Sequence, residues 1–130
     1  MSLEIIEKIE KIYSKTISLV SEDGFRFCDY ISDKNKMFIE KMMEKNSFTG
    51  KKGEKLEVSF LERDSLITIL FLGTGKKENI NRDIMREVIY NGLKDITGDI
   101  LIGSEDEDLI DVEIIGEVAE HIDYKFDKYM

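Results

Sequence analysis

Residues 56–77 read LEVSFLERDSLITILFLGTGKK, and this stretch decides the fold class. From residue 56 to residue 60 every second side chain is apolar, a pattern that predicts a half-buried strand. Arg63-Asp64-Ser65 supplies the polar residues of a turn. Leu66 to Leu72 is then almost continuously apolar, as expected of a strand covered on both faces near the middle of a sheet. The stretch therefore predicts a hairpin that leads into a central strand.

Amphipathic helices are predicted on either side of this hairpin. Apolar residues recur at near-helical steps from Asp33 to Lys45, with Asp33 as the predicted N-cap and Asn46 at the far end. Asn81 is predicted to cap a second helix, and a last helix is predicted from Leu109 to His121. The apolar residues of the second helix are Ile84, Met85, Val88, Ile89, Leu93 and Ile96.

Further strands are predicted before and after these elements. The segment that begins at Leu3 shows both helical spacing and partial alternation, and we favour a strand followed by a short turn. Thr16 to Val20 is β-branched and mostly apolar, and it ends at the turn-forming residues 21–24. Ile100 to Ile102 reads as a short buried strand. Alternating strands and helices predict a single α/β layered domain.

Composition narrows the range of functions. A chain of 130 residues fits one domain, and with 42% apolar and 36% charged residues it resembles neither membrane nor disordered sequence. The net charge of -9 opposes binding to nucleic acid or to anionic lipid. The basic cluster Lys51, Lys52 and Lys55 has no aromatic neighbours for base stacking, so we interpret it as a solvated turn. No nucleic-acid or membrane partner is expected.

Cysteine content and the lack of an export signal indicate the compartment. Cys28 is the only cysteine, which excludes an intrachain disulfide. Neither a secretory signal nor a run of about 18 apolar residues is present. We therefore expect a cytoplasmic protein.

Gly73-Thr74-Gly75-Lys76 stands where a strand leads into a helix, a place where backbone N–H groups can hold a phosphate. A P-loop would need glycine at the position of Leu70 and a hydroxyl residue at Lys77. The dinucleotide-binding fingerprint fails as well, because Asn79 or a neighbour stands at its third glycine. A tight structural connection is the favoured interpretation, with a phosphate cradle as the alternative.

Three other features were weighed as chemical sites. His121 is the only histidine, and near the end of a predicted helix it is typical of a half-buried or dipole-stabilised residue. Cys28 lies between aromatic residues and reads as an inert buried thiol. Glu105 to Asp108 is acidic throughout, but consecutive carboxylates do not converge as cation ligands do, so we interpret it as a solvated loop.

The chain carries FTGKKGE at residues 48–54, then a hairpin, then ILFLGTGKKE at residues 69–78 and a helix. The order of these motifs resembles the amino-terminal domain of the M17 family of leucyl (cytosol) aminopeptidases. YKFDKY at residues 124–129 is similar to the stretch that joins this domain to the catalytic one in the family. With its weaker start included, the resemblance covers nearly the whole chain.

The resemblance implies a macro-domain-like fold, in which a mixed sheet lies between layers of helices. It implies relatives that are cytoplasmic homohexamers and that remove amino-terminal residues with two divalent metals, zinc or manganese. In the family those metals are held by a lysine and carboxylates of the carboxy-terminal domain. No matching position in this chain is a metal ligand or a catalytic residue, so we expect no catalytic, cofactor-binding or metal site residues.

Two functions follow as hypotheses. The leading one takes residues 1–130 as a noncatalytic assembly or regulatory domain, whose partners are its own catalytic domain, absent from this chain, and sister subunits. The alternative is a macro-domain-like module that binds a nucleotide or an ADP-ribose type of molecule at Gly73 to Lys77. Fold alone does not transfer that binding function.

Overall fold

A computed structural model describes residues 3–5, 15–24, 31–94, 100–103, 114 and 117–118. Its strands and helices are β1 (Leu3–Ile5), β2 (Lys15–Ser21), α1 (Asp33–Lys45), β3 (Lys55–Glu62), β4 (Ser65–Gly75), α2 (Arg82–Leu93) and β5 (Ile100–Gly103). The strands form one five-stranded sheet in the order β1-β5-β2-β4-β3. All neighbours pair in parallel except β3 and β4, which are antiparallel. The predicted α/β class, with a mixed sheet flanked by helices, is confirmed.

The predicted hairpin is present, and both of its strands are longer than expected. Val58 pairs with Ile69, and the register continues without a break to Glu62 opposite Ser65. Arg63 and Asp64 form the two-residue turn, with φ values of 51° and 68°. Left-handed conformations at both positions match the twist of a tight hairpin. The second strand does not end at residue 72 as predicted but runs on through the glycines to residue 75.

One face of the sheet is covered by α1. Because successive strand residues point to opposite faces, Ile69 and Phe71 of β4 lie on this side. They pack with the completely buried Ile39 of α1 and with the partly buried Met42 and Met43. These methionines fill the core, as expected from their position in the predicted helix. The rest of this core consists of Val20, Ile31, Phe48, Leu56, Val58, Phe60 and Ile67.

The opposite face is covered by α2, which Asn81 caps as predicted. The Asn81 side chain accepts the backbone N–H of Ile84 at 2.9 Å. Leu72 of β4 packs against this helix, where a Cβ on Gly92 would lie 2.3 Å from the Leu72 Cδ1 atom. The core on this side consists of Ile17, Leu19, Leu72, Met85, Val88, Ile89, Leu93, Ile114 and Val118.

The N-cap of α1 differs from the prediction. Ser32, not Asp33, is the cap, and its hydroxyl accepts the backbone N–H of Asn35 at 3.4 Å. The buried carboxylate of Glu62 accepts the backbone N–H of Ser32 and, at 3.4 Å, the side-chain amide of Asn35. Helix α1 therefore begins one residue earlier than the predicted cap implies, and the hairpin anchors that end.

β4 is not covered on both faces along its whole length, which corrects the prediction for Leu66 to Leu72. Leu66 is 63% exposed, and Thr68 and Leu70 are half-buried. Only from residue 71 onward are consecutive positions of β4 buried. The reason is the length of the strand, because its first residues extend past the layer formed by α2.

The remaining predictions are tested only in part. The strand at the start of the chain is confirmed by β1, and the short strand after residue 99 is confirmed by β5. Ile114, Glu117 and Val118 are helical, within the predicted last helix. The bounds of that helix, and Ile96 of the second helix, lie outside the described residues. Within the part of the chain that the structure describes, no helix is long and apolar enough to span a bilayer.

Candidate functional site at the glycine-rich junction

The two glycine motifs of the sequence meet in space at the end of β4. The backbone N–H of Gly73 donates to the carbonyl of Glu54 at 2.9 Å, and that of Gly75 donates to the carbonyl of Gly50 at 2.8 Å. The backbone N–H of Gly53 donates to the carbonyl of Gly73 at 3.3 Å. The turn at residues 50–54 therefore continues the ladder beside β4. We call this arrangement the glycine junction.

Close main-chain approach explains why the junction contains glycine. A Cβ on Gly73 would lie 2.1 Å from the carbonyl oxygen of Lys51, so position 73 admits no side chain in this geometry. Gly50 has φ +94°, and a Cβ there would lie 2.6 Å from the carbonyl oxygen of Ser21. The turn is thus held between the ends of β2 and β4.

Three of the backbone donors between Gly73 and Lys77 are used within the chain. Besides the bonds of Gly73 and Gly75, the backbone N–H of Lys77 donates to the Asp23 carboxylate at 2.8 Å. That carboxylate stands where an anion would have to bind. The next α-helix begins only at Arg82, after a single 3-10 turn at Lys77–Asn79. The geometry favours the structural interpretation of this connection over a phosphate cradle.

Thr74 and Glu22 tie the same connection to β2. The Thr74 hydroxyl, which is buried, donates to the carbonyl of Val20 at 3.3 Å. The backbone N–H of Glu22 donates to the carbonyl of Gly75 at 3.1 Å. The ends of β2 and β4 and the turn at 50–54 thus form one bonded unit.

Glu54 closes the turn with its side chain. Its carboxylate accepts the backbone N–H of Lys51 at 2.8 Å and that of Thr49 at 3.1 Å, together with the Thr49 hydroxyl at 3.3 Å. Burial raises the pKa of Glu54, but hydrogen bonds from the backbone of Thr49, Lys51 and Gly50 and from the Thr49 hydroxyl outweigh it. The pKa of Glu54 therefore lies below its ordinary value of 4.5. Sequence analysis did not single out this residue, although an acidic residue directly after GKKG was the available signal.

Replacing Glu54 with glutamine is expected to lower the free energy of unfolding by about 1 kcal/mol at pH 7. The value is modest because the hydrogen bonds are exposed to solvent. Since the folded-state pKa is lowered, the stabilisation is present above pH 4.5 and is lost as pH falls through the folded-state pKa. The difference between the native chain and E54Q, measured by urea unfolding, should therefore shrink below pH 4.5.

Glu57→Gln is the matched control, because Glu57 is an exposed carboxylate on the adjoining strand. Its effect is expected to stay within about 0.5 kcal/mol across the same pH range. A Glu54→Gln deficit that does not change between pH 7 and pH 3 would contradict the assigned role of the ionised carboxylate.

Lys52 and Lys55 connect the turn to α2. The Lys52 ammonium lies 2.9 Å from the Glu87 carboxylate, and the Lys55 ammonium donates to the carbonyl of Asn91. The three lysines of the basic cluster are exposed, as predicted. Lys52 and Lys55, however, contact α2 as well as solvent. A shallow groove of about 300 Å³ lies between the turn and α2, with Leu72 and Val88 in its lining.

The groove is poorly suited to an anion. Lys52, Lys55 and Lys94 line it, and the first two already have partners. Glu54 and Glu87 contribute negative charge to the lining. It also lies beside the carboxyl-terminal end of α2, where the helix dipole is negative. The contacts of Lys52 with Glu87 and of Lys55 with Asn91 hold this part of the chain against α2.

No metal site emerges from the described residues. In the ranges that the structure covers, no three histidine, cysteine, aspartate or glutamate side chains are placed so that they could hold a metal ion. Cys28, His121 and the acidic run Glu105 to Asp108 lie outside those ranges, so their interpretations stay predictions. The predicted absence of catalytic, cofactor-binding and metal residues in the chain as a whole stays a prediction too.

Comparison with known proteins gives two findings. Residues 19–130 match the N-terminal domain of the cytosol aminopeptidase family. The chain is also 33% identical, over 129 residues, to a probable cytosol aminopeptidase of Fusobacterium nucleatum subsp. nucleatum. That alignment covers 99% of this chain but only 27% of the relative. The matched family range includes the whole glycine junction.

Proposed function

Because the chain belongs to the cytosol aminopeptidase family and matches its N-terminal domain, we propose that it is the noncatalytic amino-terminal part of an aminopeptidase. The whole protein would remove amino-terminal residues from peptides. The observation that carries this proposal is the family match over residues 19–130. The 27% share of the Fusobacterium relative supports it, since most of that protein lies outside the aligned part.

The role of this part is structural or regulatory in our proposal. The motifs carrying the resemblance build the glycine junction, where Gly73 bonds to Glu54 and Gly75 bonds to Gly50. Such a junction can fix the shape of a domain that positions subunits or controls access to a catalytic partner. We further propose a macro-domain-like fold, a cytoplasmic location and a homohexameric parent, all of which rest on the resemblance.

Two divalent metals, zinc or manganese, would serve the parent enzyme. The described residues of this chain do not fit such a pair, because they offer no cluster of three ligand side chains. A pair of metals that activates water needs converging carboxylates on a rigid scaffold. Our proposal therefore places the metals in the polypeptide outside this chain.

A peptidase assay tests the proposal. The 130-residue chain is expected to leave leucine p-nitroanilide intact in the presence of manganese or zinc. The product of a reading frame that continues beyond Met130 is expected to hydrolyse it and to lose activity with EDTA. Turnover by the short chain at enzyme-like rates, or no hydrolysis by the longer product with either metal, would refute the proposal.

Binding of ADP-ribose or a related nucleotide is the competing function, and the occupied donors at Gly73, Gly75 and Lys77 count against it. Calorimetric titration of the chain with ADP-ribose at millimolar concentration separates the two. We expect no saturable heat, whereas saturable binding that Asp23→Ala strengthens would reinstate a ligand site at the junction.

A further inference from the structure

The outer part of the hairpin has one uncovered face. Leu61 and Leu66 are direct partners across β3 and β4, and they are 67% and 63% exposed. The neighbouring pair on the same face is Ser59 and Thr68, whose hydroxyls lie 2.8 Å apart. We call these four residues the outer hairpin face.

The other face of the same hairpin segment is fully covered. Phe60 and Ile67, which alternate with the exposed residues, are 6% and 5% exposed and pack in the core beneath α1. On the uncovered side α2 reaches Leu72 and partly Leu70, but not Leu66. On the α2 side, the hairpin therefore extends beyond the helix that covers the sheet. The uncovered part carries two adjacent leucines, Leu61 and Leu66. An apolar pair on an otherwise polar strand face is typical of a surface that another element covers.

We propose that the outer hairpin face is covered by an apolar helix from the polypeptide that follows this domain in the full-length aminopeptidase. This inference rests on the proposed function. Sheet faces in α/β domains are covered by helices, and α2 already occupies the adjoining part of this face. From the Ser59–Thr68 pair to the Leu61–Leu66 pair the face extends about 7 Å along the strands, the length of roughly four to five helical residues.

The direction of the chain supports this occupant. Ile114 and Val118, the last described apolar residues, pack into the core on the α2 side, the side on which the outer hairpin face is open. The Fusobacterium relative has most of its length outside the part that aligns with this chain. A segment of the same polypeptide would meet the face at a higher effective concentration than a separate molecule would.

A second copy of the chain is a weaker occupant. A net charge of -9 on each copy of this domain opposes contact between two such domains at this face, whatever association the rest of the parent protein supplies. The outer hairpin face also lacks basic residues that could offset this repulsion at the contact. A helix tethered by the continuing chain does not meet the same penalty.

Cysteine labelling of the full-length protein tests the proposal directly. In a full-length protein whose Cys28 and any cysteines outside residues 1–130 are replaced by serine, Leu66→Cys and Met37→Cys are compared for their rate of reaction with a maleimide. Met37 is the matched control, because at 57% exposure it is nearly as open as Leu66 but lies on α1. We expect Leu66→Cys to react at least about tenfold more slowly than Met37→Cys, and Leu61→Cys to behave as Leu66→Cys does.

Equal labelling rates at positions 37 and 66 would overturn the proposal. Protection of Leu66→Cys that disappears on dilution, in step with dissociation measured by analytical ultracentrifugation, would identify a second copy as the occupant and would overturn it as well. Peptidase activity is scored separately. If the full-length protein is inactive but Leu66→Cys is protected, the aminopeptidase assignment is refuted and the docking is not. If the protein is active and Leu66→Cys reacts freely, only the docking is refuted.

Discussion

Replacing Phe71 with alanine is expected to lower the free energy of unfolding by about 4 kcal/mol. Phe71 is 2% exposed and lies in β4, where it packs in the core beneath α1. Its ring centre is 6.3 Å from that of Phe48, with the two rings tilted by 53°. Truncation removes the apolar contacts and leaves a cavity between a sheet strand and a helix, neither of which can close it without losing hydrogen bonds. Urea unfolding followed by circular dichroism measures the loss.

Phe38→Ala controls for the loss of a phenylalanine without a cavity. Phe38 is 41% exposed on α1, so its replacement is expected to change the free energy of unfolding by no more than about 0.5 kcal/mol. Equal effects at positions 38 and 71 would contradict the placement of Phe71 in the core.

Replacing Gly73 with alanine is expected to cost about 3 kcal/mol, although the change adds a single methyl group. The new Cβ would lie 2.1 Å from the carbonyl oxygen of Lys51 and 2.8 Å from the carbonyl carbon of Gly50. Both atoms belong to the main chain, so no rotamer change relieves the overlap. The turn must move away from β4, which breaks its hydrogen bonds to Gly73 and Gly75. Thermal and urea unfolding of the variant report the loss.

Gly53→Ala separates this overlap from the ordinary cost of removing a glycine. Gly53 has φ +88°, but a Cβ there meets no atom within 4 Å. Only the left-handed backbone opposes the substitution, at about 1 kcal/mol. A Gly73→Ala variant as stable as Gly53→Ala would show that the turn does not pack against β4 as described.

Local patterns predicted much of the fold. Alternation over residues 56–60, the cap at Asn81 and the periodicity of the following helix depend on neighbours in sequence, and all three were confirmed. The cap of α1 was misplaced because Ser32 and Asp33 are both good cap residues. What selects Ser32 is the buried Glu62, which lies 30 residues away in the chain and accepts its backbone N–H.

Sheet order and coverage depend on distant contacts, and the sequence predicted them less well. Nothing local shows that β5 inserts between β1 and β2. The apolar run that begins at Leu66 was read as doubly buried, because periodicity cannot tell burial inside the domain from an apolar face that the domain itself leaves open. The double burial of Leu66 was therefore a wrong prediction, and together with Leu61 this residue forms a candidate interface.

The glycine junction was visible in the sequence only as two separate motifs. Each could be compared with phosphate-binding patterns, and the mismatch at Leu70 and Lys77 correctly favoured a structural interpretation. That the motifs bond to each other through Glu54 and Gly73 follows from the register of the hairpin between them. This register brings residues 19 or more positions apart into main-chain contact, which local periodicity does not report.

The kind of atom that a side chain at a glycine position would meet also determines which substitutions can be accepted there during evolution. At Gly92 the nearest atom belongs to the Leu72 side chain, so a smaller residue at position 72 makes room for alanine at 92. Those two positions can exchange volume by compensating substitutions. At Gly73 the facing atoms are main-chain atoms of Gly50 and Lys51, which every sequence possesses. No substitution at another position restores the space. Position 73 therefore has to remain glycine for as long as the turn keeps its path.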